Sequence, residues 1–93
     1  MTLTLAELER LALLIEELAE ASQAACKVIR FGYEDGHPNR QRTNRQDLER
    51  ELGDVIGAIA RMQNIGDLDS GAIRVQAEFK VNHHCWLRNQ NDV

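Results

Sequence analysis

Residues 4–31, TLAELERLALLIEELAEASQAACKVIRF, decide the fold. Thr4 and Glu7 form the Thr-x-x-Glu box that satisfies free amides at a helix N-terminus. Behind it, Leu8, Leu11, Ile15, Leu18, Ser22, Ala25 and Ile29 recur at spacings of three and four, one continuous helical stripe. No Gly or Pro intervenes before Gly32. The stretch predicts an unbroken helix of about 27 residues, ~40 Å long. Leu13, Leu14 and Val28 lie well off the stripe, Leu13 on the acidic side. A helix apolar on several sides must be covered on several sides. Three helices of one short chain cannot do that, so a bundle shared between protomers is expected.

Working outward, residues 32–44, GYEDGHPNRQRTN, read as a loop. Gly32, Gly36 and Pro38 break any helix, and Asn and Asp favour turns. A second helix, capped by Thr43 or Asn44, follows with the stripe Leu48, Leu52, Val55, Ile59 and Met62. Gly53 and Gly57 lie inside it. Each costs about 1 kcal/mol against Ala, and close approach of another helix would offset that. Gly66 to Ser70 is a turn. Asp69 or Ser70 then caps a third helix over about 71–88, with Ile73, Ala77, Val81 and Cys85 expected inward. The predicted fold is all-α, a single domain over 1–93, as a helical bundle completed by oligomerisation.

Composition narrows the function. The 93 residues are 43% apolar and 28% charged, the make-up of a folded domain. A chain this short buries only about 60–65% of its unfolded surface, so its own core is thin. Eleven Lys and Arg against fifteen Asp and Glu give a net charge of −4, which speaks against a general nucleic-acid-binding surface. The longest apolar run, Leu11 to Ile15, is far short of the ~20 residues a bilayer helix needs, so no membrane partner is expected. No secretion signal is visible. Cys26 and Cys85 are isolated and fit a reducing, cytoplasmic setting.

The carboxylates are grouped. Glu16, Glu17 and Glu20, in the string EELAE, fall within about a 100° arc beside the apolar stripe. Glu51 and Asp54, in ELGD, are three apart on the second helix, where Glu51 borders the stripe. Helices packed through their stripes would bring these acids together. Separations of three and four make side chains meet, and like charges there repel. An ordinary solvated acidic face is the plain alternative, but such a face interleaves Lys or Arg. The first helix has no basic residue between Arg10 and Lys27. Four converging carboxylates are hard oxygen ligands that suit Mg²⁺ or Mn²⁺.

The pattern E-E-x-x-E on one helix and E-x-x-D on the next resembles the MazG-like, all-alpha nucleoside triphosphate pyrophosphohydrolases. It stands here as Glu16, Glu17, Glu20, Glu51 and Asp54. The strings KVIRFG from Lys27 and NRQDLERELGDVIGAIARM from Asn44 look like the short phage and bacterial members. The resemblance covers roughly residues 8–65. It implies Mg²⁺-dependent hydrolysis of a (d)NTP to the monophosphate and pyrophosphate, in nucleotide-pool housekeeping, by a homo-dimer or tetramer. It further implies that Glu17, Glu20, Glu51 and Asp54 are metal ligands. Glu16 would be the catalytic base or an outer carboxylate. On the third helix Lys80 and Asn82 loosely match residues that hold phosphates in the family.

Other residues have two readings each. Lys27 and Arg30 lie within reach of a phosphate tail, or complement the helix dipole. Arg40, Arg42, Arg45 and Arg50 either close over phosphates from a loop or form a solvated basic segment. Phe31 and Tyr33 pack in the core or stack a nucleobase. His83, His84 and Cys85 are adjacent, point in different directions and do not form a zinc site. Cys26 lies on the stripe and is expected buried. The competing function is a catalytically silent helical interaction or regulatory protein of the same fold.

Overall fold

The computed structural model describes residues 2–36, 38, 39, 41–83 and 87–90. It is all-helical: α1 (Leu5–Phe31), α2 (Asn44–Ile65) and α3 (Ser70–Asn82), with no strand among the described residues. α1 runs for 27 residues. The Thr4 hydroxyl accepts from the Glu7 amide, and the Glu7 carboxylate accepts from the Thr4 amide. Thr43, not Asn44, caps α2, and Gln46 closes its box. Gly66 ends α2 in the left-handed conformation at φ 92°, which glycine adopts without a Cβ penalty. Asp69 caps α3 by accepting from the Gly71 amide. Among the described residues no helix is long and apolar enough to cross a membrane.

α1 and α2 pack as an antiparallel hairpin, and α3 makes no comparable contact with either. The buried apolar side chains are Ala21 and Ala24 from α1 and Val55, Ala58 and Met62 from α2. Half-buried Arg10, Leu14, Glu17 and Val28 continue the α1 contact at steps of three and four. This face is rotated from the one expected. Of the expected stripe, Leu11 and Ala25 are half-buried, while Leu8, Leu18 and Ser22 are exposed and Ile15 and Ile29 are 67% and 84% exposed. The reason is that α1 is apolar on more than one side, so a three-and-four spacing alone does not pick the side that is buried. Cys26 follows the outward side and is an exposed free thiol, not the buried residue expected.

Helical phase, at about 100° per residue, sorts the rest of the hairpin into two faces. On one, α1 places Ile15, Leu18 and Ile29 beside Leu52 and Ile56 of α2, all exposed. On the other lie Glu20 and Lys27 of α1 with Asp47, Arg50, Asp54 and Arg61 of α2. Gly53 and Gly57 point away from α1, and a Cβ at either would meet nothing within 4 Å. No helix of the protomer therefore makes the close approach expected there.

α3 departs from expectation too. It ends at Asn82, and Ile73, Ala77 and Val81 are exposed along with the rest of its apolar residues. Cys85 lies outside the described residues. After the Gly66 turn the chain leads away from the hairpin instead of folding back on it. The radius of gyration is 16.4 Å, against about 12 Å for a compact chain of this length. The accessible surface is 7897 Å², against roughly 5,500 Å² for a compact monomer of this mass.

The register of the hairpin is set at its closed end. Asn44 is buried, and its side-chain amide donates to the Gly32 carbonyl at 3.1 Å. The backbone amides of Asn44 and Arg45 donate to the carbonyls of Asp35 and Tyr33. At the open end Arg10 donates to both carboxylate oxygens of Asp67.

Candidate metal centre

Antiparallel packing through this register brings the first-helix acids opposite the second-helix acids. One carboxylate oxygen from each of Glu17, Glu51 and Asp54 lies within 4.8 Å of the others. Glu17 and Glu51 are half-buried because each borders the α1–α2 contact, while Asp54 is exposed. Oε2 of Glu17 and Oε2 of Glu51 are buried and have no hydrogen-bond partner among the described residues. Glu20 stands beside them, close enough to feel the charges of Glu17 and Glu51.

The electrostatics are those of uncompensated negative charge. Desolvation first, then the charges of Asp54, Glu51 and Glu16, push the Glu17 carboxyl above its ordinary range. Glu20 is also pushed up, first by the charge of Glu17, then by desolvation and by Glu51 and Glu16. Buried acceptor oxygens without donors cost free energy. Crowded carboxylates also hold protons that they would release to a cation. A hard divalent ion answers both conditions at once, because it supplies positive charge and binds oxygen. The donor set therefore fits Mg²⁺ or Mn²⁺ chemically, though acidic clusters also occur without a metal.

Two clefts flank the cluster. One, of about 480 Å³, is lined by Glu20, Gln23, Lys27, Arg42, Asp47 and Arg50, and also by Ala24, Glu51 and Asp54. The other, of about 330 Å³, has Leu13, Glu17, Asp54 and Arg61 around a floor that includes Gly53 and Gly57. Of the sequence-derived ligands, Glu17, Glu51 and Asp54 converge and Glu20 borders them. Glu16 is exposed and lines neither cleft, though its charge is felt by both Glu17 and Glu20.

The candidate phosphate residues divide. Lys27 lines the larger cleft. Arg30 does not, and its guanidinium lies over the Phe31 ring, 5.6 Å from the centroid. Lys80 and Asn82 are on α3 and line neither cleft. Arg45 is held at the loop by Glu34 and by the Tyr33 ring, so it is not a free cation for phosphate. Phe31 and Tyr33 are both exposed, not core residues. His83 stacks on Phe79, and Arg40, His84 and Cys85 lie outside the described residues. Gln23 and Asp47 were not legible as cleft residues. The signal was present in the helical spacing, since Gln23 is three beyond Glu20 and Asp47 is four before Glu51. No family model matches this chain, and no curated protein or solved structure matches it either.

Proposed function

We propose that this chain is a divalent-metal-dependent nucleoside triphosphate pyrophosphohydrolase of MazG-like type, yielding the monophosphate and pyrophosphate. The observation that carries the reading is the convergence of Glu17, Glu51 and Asp54 from two helices, with two buried carboxylate oxygens lacking donors and cations in the adjoining cleft. Glu17, Glu20, Glu51 and Asp54 would hold Mg²⁺ or Mn²⁺. When bound, such an ion offsets the charge of a triphosphate and acidifies water. Glu16, exposed beside Glu17, would accept the proton of the attacking water as the base such a step needs.

The proposed assembly is a homo-dimer or tetramer. Relative to a compact monomer, the chain exposes on the order of 2,400 Å² of extra surface. That is the scale of the area an obligate homodimer buries. The apolar hairpin face and the freestanding α3 are the surfaces to be covered, by a second copy. The same surfaces favour the second reading, a helical interaction protein without turnover. Release of pyrophosphate from a panel of ribo-, deoxy- and damaged nucleoside triphosphates, with Mg²⁺ and with EDTA, separates the two. Orthophosphate and a diphosphate as first products would overturn the bond assignment. Absence of turnover across the panel would leave the interaction protein.

A further inference from the structure

The larger cleft is lined by two kinds of charge: the carboxylates of Glu20, Glu51 and Asp54, and the basic side chains of Lys27, Arg50 and Arg42, the last of them ion-paired with Asp47. Lys27 is one heptad beyond Glu20, so it lies on nearly the same side of α1, ~10 Å further along the axis. Arg50 is four residues before Asp54 on α2. That spacing puts opposite charges within reach of each other, less favourably with the basic residue first. Among the described residues neither Lys27 nor Arg50 has an ion pair or a hydrogen bond, although acids surround both. Arg42, from the loop, engages Asp47 at 2.8 Å. The cleft thus keeps two uncommitted cations alongside its carboxylates. Its volume, about 480 Å³, is within the ~300–1,000 Å³ of small-ligand sites.

We propose that Lys27 and Arg50 seat the outer phosphates of a linear polyphosphate whose inner phosphate lies at the carboxylates. This rests on the reading of the carboxylates as a metal centre. Lysine supplies a compact point charge, and arginine a planar fork that takes two phosphate oxygens at once. Affinity would then depend on chain length. An orthophosphate reaches one kind of charge only, whereas a triphosphate spans both. The leaving pyrophosphate would stay on Lys27 and Arg50 after cleavage and act as a product inhibitor. Arg30, three residues on from Lys27 but turned onto Phe31, takes no part.

Calorimetric titration of the full chain with inorganic tripolyphosphate, pyrophosphate and orthophosphate, each with Mg²⁺, tests this without turnover. Affinity is expected to fall in that order. Lys27→Gln and Arg50→Gln should each weaken tripolyphosphate binding at least about tenfold. Arg50→Lys should recover part of the loss, and Arg30→Gln should lose nothing. Mn²⁺ binding by the two Gln variants, read by electron paramagnetic resonance, should stay at the wild-type level, which also reports that they are folded. Wild-type affinity in both Gln variants, no binding of tripolyphosphate to the wild type, or an equal loss in Arg30→Gln would overturn the proposal. Polyphosphate binding that depends on Lys27 and Arg50, without hydrolysis of any nucleotide, would sink the pyrophosphohydrolase and leave this subsite standing. Nucleotide hydrolysis indifferent to both residues would do the reverse.

Discussion

Glu17 of α1 and Glu51 of α2 face one another across the hairpin, and each buries a carboxylate oxygen that no donor among the described residues reaches. Paired burial of like charge works against the packing that creates it. The helices tolerate it because the core continues past it through Ala21, Ala24, Val55 and Ala58.

Relief of that repulsion is the first expectation. Glu51→Gln and Asp54→Asn should leave the metal-free protein as stable as wild type or more so, and should abolish hydrolysis. Mg²⁺ or Mn²⁺ should raise the wild-type melting temperature, since a ligand of the folded state stabilises it by mass action. That shift should vanish in both variants. A large loss of metal-free stability in either would identify these acids as structural partners instead.

The pH dependence has a definite sign. Glu17 and Glu20 have folded-state pKa values raised above the ordinary 4.5 of a glutamate. The folded state therefore binds more protons than the unfolded state between those values, and stability falls as pH rises. Their favourable contribution is present at and below pH 4.5 and is lost as pH climbs through the raised values. Thermal melts in EDTA from pH 4 upwards should show this decline, and Glu20→Gln should flatten it. Mg²⁺ should restore stability at neutral pH. A rise in metal-free stability over the same window, unaltered by Glu20→Gln, would contradict the arrangement.

Assembly is tested by two substitutions one turn apart on α1 that differ in burial. Leu14 is half-buried on the side that meets α2, and Leu18 is exposed on the apolar hairpin face. Leu14→Asp should unfold the hairpin, with loss of helical circular dichroism. Leu18→Asp should separate the copies, because a charge buried in their contact costs several kcal/mol. Sedimentation would show a lighter species, or melting would become concentration-dependent. A wild-type monomer at micromolar concentration would refute the shared bundle.

Gly57 probes a different strip. A Cβ there meets nothing within 4 Å in the protomer. Gly57→Ala should therefore stabilise α2 by about 1 kcal/mol through helix propensity alone. Denaturant unfolding measures it. A loss of stability would mean that a helix of another copy lies against Gly53 and Gly57.

Local chemistry decided the ends of the helices, and the sequence carries it. Thr4 with Glu7, Thr43 with Gln46, and Asp69 act through atoms within three residues of themselves. Side-chain periodicity likewise grouped Glu17 with Glu16 and Glu20 on α1, and Glu51 with Asp54 on α2. The side of α1 that faces α2 was decided only by tertiary packing. α1 carries apolar residues around much of its circumference, so two stripes about 100° apart satisfy the same spacing rule. The buried side is the one that carries Ala21 and Ala24, and that outcome depends on the partner helix and not on α1 alone. The same packing separated Lys27 from Arg30, and set the α1–α2 register through Asn44 and Gly32. It also left α3 with no extensive contact to α1 or α2 among the described residues. Each of these is a relation between distant residues, and only the folded chain brings such residues together.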